Sequence, residues 1–141
     1  MAKEWVSASQ DSVAFGAPIK SGEAGNINKG DFIGINSDGD AVLANSGIDD
    51  ETAVEARGAA WDDGTVGDAI KTVDLTRIGF VRTNKLAGFS DLTPGGTVYL
   101  GSGGGITQTA PSATAEILQV LGFAVTDDTI FIDIAPGEVL T

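Results

Sequence analysis

The chain has no cysteine and no histidine. Disulfides, thiol chemistry and imidazole metal sites are therefore excluded, and stability must come from packing or assembly. Serine and threonine are plentiful, but no imidazole exists to activate a hydroxyl as a nucleophile. Basic residues are scarce: 8 Lys and Arg stand against 20 Asp and Glu, a formal net charge of −12. That balance argues against a nucleic-acid grip, whose affinity comes largely from neutralising phosphates. No apolar run reaches the ~18 residues that a membrane-spanning helix needs. The opening Met1-Ala2-Lys3-Glu4-Trp5 lacks the hydrophobic region of a secretion signal.

What is abundant is glycine, with 20 in 141 residues, against a background that is 42% hydrophobic. So much glycine means many turns, and the apolar fraction is too high for a disordered tail. Frequent Val, Ile and Thr then point to one all-β domain of short strands, long enough to bury a real core.

The last third of the chain carries the strongest pattern. Ile117–Val125 and Thr129–Ile134 are apolar, β-branched and aromatic, and Thr126-Asp127-Asp128 between them is turn chemistry. In the second run Ile130, Ile132 and Ile134 share one face, and Thr129, Phe131 and Asp133 the other. The first run is apolar on both faces, which predicts a central strand covered on both sides. A helix competes for it, since Ser112 or Thr114 could cap one and Ile117, Val120, Leu121 and Ala124 have helical spacing. Gly122 and the strong strand that follows favour β.

Upstream, Asp31–Asn36 and Ala41–Ala44 flank Ser37-Asp38-Gly39-Asp40. Asp-Gly between apolar runs is a hairpin signal, and predicts a type I′ turn with positive φ at both central residues. A calcium loop is the rival for the same residues. Counted from Asn36, Gly39 stands fourth and Gly47 twelfth, where such a loop needs its glycine sixth and a glutamate twelfth. Further strands are predicted at Arg57–Trp61, Asp68–Val73 and Arg77–Arg82, the last two paired with each other. Ser12–Gly16 is a shorter apolar piece, and Asp49-Asp50-Glu51 reads as a solvated loop. Three consecutive carboxylates are not a catalytic pair, which needs two distinct environments. The cluster Gly101-Ser102-Gly103-Gly104-Gly105 has the composition of a phosphate loop but not its Gly-Lys-Ser/Thr ending, so a hairpin tip accounts for it. A biotinyl or lipoyl carrier would display a lysine at a tight turn, and Asp38-Gly39 offers none. No catalytic, cofactor or metal residue is assigned, and no small-molecule substrate is implied.

Two groups remain as candidate contacts with a protein partner. Trp5 and Val6 sit on a short polar segment that reads either as an edge strand or as an arm ordering on a partner. Lys71, Arg77, Arg82 and Lys85 form a basic group suited to an acidic surface.

Several of these pieces recur in a set order. Lys29-Gly30-Asp31-Phe32-Ile33, Ser37-Asp38-Gly39, Ala56-Arg57-Gly58-Ala59-Ala60 and Gly67-Asp68 lead into Gly96-Thr97-Val98-Tyr99-Leu100, Gly105-Ile106-Thr107-Gln108 and Gln119–Ala124. The succession resembles the small decoration, or head cement, proteins of tailed bacteriophages. The resemblance runs from about Lys29 to Ile134, and the two ends match no motif. It implies an all-β, small barrel-like or tulip-like domain of short antiparallel strands with flexible terminal arms. Residues 1–11 would be an N-terminal arm, 12–135 the domain and 136–141 a C-terminal tail. It also implies a homotrimer made in the host bacterial cytoplasm, which binds the major capsid protein on the outer capsid surface of the virion. Such a protein has no active site and no cofactor, and binds neither nucleic acid nor membrane. A tail-fibre or other receptor-binding virion component shares the same β-rich, Gly-rich character.

Overall fold

The computed structural model describes residues 4–8, 28, 30–49, 52–60, 75–76, 78–82 and 92–141. Twelve strands, β1 to β12 in chain order, build it: Glu4–Ala8, Phe32–Ile35, Ala41–Leu43, Gly58–Ala60, Leu75–Thr76, Ile78–Arg82, Thr97–Leu100, Ile106–Thr107, Ile117–Leu118, Val120–Ala124, Thr129–Asp133 and Glu138–Val139. Every pairing among them is antiparallel. No helix occurs among the described residues, so the β reading of the last third holds against the helical one.

A six-stranded sheet runs β1-β6-β11-β10-β7-β8, a four-stranded sheet runs β3-β2-β4-β5, and β12 pairs with β9 alone. The sheets do not close into a barrel: the large one keeps two edges, at β1 and β8. Among the described residues no further strand lies beyond either, so the all-β, antiparallel expectation holds without closure into a barrel.

The main core joins the two larger sheets. Val98, Leu100, Leu121, Ala124, Ile130, Ile132 and Ile134 come from the six-stranded sheet and the residue after it. Phe32, Ala44, Ala56 and Ala59 come from the four-stranded sheet and its loops. Period-two alternation delivers Ile130, Ile132 and Ile134 inward together, as their spacing predicts. Alanines on the facing sheet leave room for these branched side chains. Ile33, on the other face of β2 from Phe32, forms a second small cluster with Ala41 and Ala60.

The β2–β3 hairpin forms in the predicted place with a different turn. Gly39 has φ of 82°, but Asp38 is not among the residues with positive φ. Gly39 N–H donates to Asn36 O, and Asn36 N–H donates to Asp40 O, both at 3.0 Å. This is a type I turn followed by a glycine in the left-handed region, rather than type I′. Asn36 favours it, because its Oδ1 accepts the N–H groups of Asp38 (3.0 Å) and Asp40 (2.9 Å).

Residues 78–82 lie between β1 and β11. The partner predicted for them at 68–73, with Ser12–Gly16 and Gly67-Asp68, lies outside the described residues. One other expectation is corrected: the run from Ile117 to Val125 is not one covered strand. It divides into β9 and β10 at Gln119, and Val120, Phe123 and Val125 are exposed.

Candidate functional site

The outer face of the six-stranded sheet is shaped by an irregularity in β10. Its register against β7 shifts between Val120 and Gly122. In a regular strand, residues three apart point to opposite faces. Here the bulge lets Leu121 and Ala124 both point inward while Val120 and Phe123, also three apart, both point out. Gly122 makes this possible. Its φ is 152°, and a Cβ there would collide with the Phe131 carbonyl oxygen on the neighbouring strand.

The outward residues line up across strands. Val120 lies opposite Tyr99, and Phe123 lies between Thr97 and Phe131. Directly opposed residues on paired strands share a face. The rings of Phe123 and Phe131 are 5.5 Å apart at 44°, a tilted aromatic pair. Val120, Phe123 and Val125 keep 38%, 45% and 40% of their surface in water, enough to offer a protein partner an apolar anchor. Asp133, two residues beyond Phe131 on the same face of β11, is exposed and adds an acidic rim.

The glycine tip between β7 and β8 is a joint rather than a ligand loop. Gly101 N–H donates to Gly105 O (3.0 Å), Gly105 N–H to Ser102 O (2.9 Å) and Gly104 N–H to Ala44 O (2.8 Å). Those donors are spent on the protein's own backbone and do not point at a phosphate site. Gly104 O in turn accepts the Phe32 N–H at 2.9 Å, and Gly101 O accepts the Ser46 N–H at 2.8 Å. The tip thus stitches one sheet to the other.

Gln119 is the second joint. It is 1% exposed, and its amide pairs with Ala56 as a strand residue would. Oε1 accepts the Ala56 N–H and Nε2 donates to Ala56 O, each at 2.8 Å, with a further bond from Nε2 to Ala135 O at 2.9 Å. Gln108 repeats the device at the surface, bonding both N–H and C=O of Thr93.

Of the candidate contact residues, Trp5, Val6 and Arg82 are described, and they lie on adjacent paired strands, β1 and β6. Trp5 and Val6 lie on β1, where Trp5 is the register partner of Val81 and the ladder slips between Trp5 and Ser7, at Val6. The segment expected as an arm therefore contains the edge strand that was its other reading. Three strand spacings, roughly 14 Å, separate β1 from β10. Arg82 ends β6, opposite Glu4 and Thr129. Lys71, Arg77 and Lys85 lie outside the described residues. Among the described residues no three acidic, histidine or cysteine side chains converge as a metal site would require. The outward Val120–Phe123–Phe131 row, exposed at Val120 and Phe123, was missed because the run that carries Val120 and Phe123 is uniformly apolar. The signal that could have revealed it is Gly122, since a lone glycine inside a strand marks a bulge.

No protein-family model matches the sequence, and no curated protein matches it significantly.

Proposed function

We propose that this protein is a structural component of a tailed-phage virion, which binds the outside of the head as a trimer and clamps neighbouring coat subunits. One observation carries the reading. The ordered motifs that resemble head decoration proteins fall on both larger sheets and on the joints between them: the β2–β3 turn, β4, β7, the glycine tip and β10. A family likeness spread over one folding framework weighs more than the same motifs scattered through loops. The outward row at Phe123 and the edge strand at Trp5 supply two surfaces a coat lattice could engage.

The test uses heads assembled without their decoration protein, from the phage whose coat gene neighbours this one. Purified protein should co-sediment with such heads and raise their melting temperature. Light scattering should give three times the chain mass. Failure to bind overturns the clamp and leaves a tail or receptor-binding part as the next reading. A variant lacking residues 1–10, and separately Trp5→Ala, tells whether β1 is the grip: folded variants that no longer bind place it there. Binding that weakens steeply with salt instead implicates the basic group.

A further inference from the structure

We infer that β12 is an exchangeable strand, and that β9 is an acceptor for residues 136–141 of a second copy of this chain. The inference stands apart from the phage reading. It begins with how the segment is held. Glu138 pairs with Leu118 and Val139 with Ile117. Leu140 N–H donates to Glu116 O and Leu140 O accepts the Ala115 N–H, both at 2.8 Å. Gly137 N–H donates to Glu55 Oε1 at 2.9 Å.

Every one of these bonds uses the backbone of the incoming strand. Glu138, Val139 and Thr141 point to water, with Val139 62% exposed, so the segment adds almost no side chain to the core. Backbone pairing of this kind is the basis of strand addition, and an identical segment from another copy reproduces it bond for bond. The acceptor is preformed independently of its occupant. Ile117 is buried and its N–H is already bonded to Ser46 O, while Gln119 is locked onto Ala56. Ala135-Pro136-Gly137 provides the hinge: the chain runs on from β11 to β12 along the same partner run and slips register there, since Ile132 pairs with Gly122 but Glu138 with Leu118. Pro136 has no N–H to pair at this step, and Gly137 is a snug fit, with Ile117 Cγ2 and Glu55 Cγ 2.9 and 3.0 Å from where its Cβ would be. Exchange leaves the bond count unchanged, so it depends on concentration and on screening of the −12 charge each chain carries.

The absence of cysteine allows a direct test. Leu118→Cys and Glu138→Cys are made as separate full-length variants; as an antiparallel hydrogen-bonded pair their Cα atoms are about 5.5 Å apart, within disulfide range. The two are mixed in denaturant, co-refolded at high concentration in physiological salt, and oxidised. A disulfide joining one of each chain, absent when either variant is oxidised alone, is the expected result. No mixed disulfide, while the double variant closes its bond within a monomer, overturns the inference. If the Leu118 variant does not fold, Glu116→Cys with Leu140→Cys interrogates the same register, with the same two outcomes.

Discussion

Two buried polar side chains behave in opposite ways. Gln119 uses its amide fully, whereas Ser46 is 0% exposed and its Oγ has no hydrogen-bond partner. Gln119→Ala strands the Ala56 N–H and C=O, and each unmet buried group costs about 1–3 kcal/mol. A loss of ~3 kcal/mol in denaturant unfolding is expected. Ser46→Ala removes an unmet group instead, and should be neutral or stabilising by about 1 kcal/mol. Equal losses in both would sink this assignment. Gln119→Glu adds a pH signature. Its carboxylate would face the Ala56 and Ala135 carbonyl oxygens, while the protonated acid can donate to one of them. Its folded pKa is therefore raised above the ordinary ~4.3. The variant should be most stable below that value and lose stability as pH rises through the higher folded pKa. A variant whose stability, relative to the parent, does not fall with rising pH would refute it.

At the scale of elements, the β10 bulge decides which residues face water. Gly122→Ala puts a methyl on the Phe131 carbonyl oxygen, backbone against backbone, so the β10–β11 ladder must part. A cost of about 3 kcal/mol or more is expected, combining overpacking with backbone strain. Gly39→Ala is the control. Its φ is also positive, at 82°, but nothing lies within 4 Å of the added methyl. Only the left-handed backbone resists it, at roughly 1–2 kcal/mol. Equilibrium unfolding of the two variants separates close approach from conformation, and similar losses would show that the strand has room to move.

For the molecule as a whole, charge opposes compactness. With 20 acidic and 8 basic residues, like-charge repulsion is present at neutral pH and is screened by salt. The Arg57–Glu55 pair, 3.8 Å apart and partly exposed, contributes little against it. Tm should rise from 10 mM to 0.5 M sodium chloride, and equally with choline chloride if screening is the cause. A fall would mean that ion pairs dominate. A rise with sodium alone would point to a bound cation.

Local chemistry was readable from the chain: strand-forming runs, the site of the β2–β3 turn, the glycine tip, and the inward row Ile130, Ile132 and Ile134. These depend on neighbours a few residues apart, through side-chain alternation and the conformational freedom of glycine. Tertiary structure decided the type I turn at Gly39, which Asn36 stabilises by two bonds to its own loop. It decided that β6 lies between β1 and β11, and that the glycine tip docks on Phe32 and Ala44. It also decided that Gln119 would find Ala56, 63 residues away. The strand order and the docking of the tip are made by backbone N–H and C=O groups, which every residue carries alike, so side-chain identity leaves no mark of them. Asn36 and Gln119 act through their side-chain amides, but which backbone groups those amides meet is set by the fold. The exposed Phe123 follows from the same cause: whether an apolar strand is covered depends on what chain remains to lie over it.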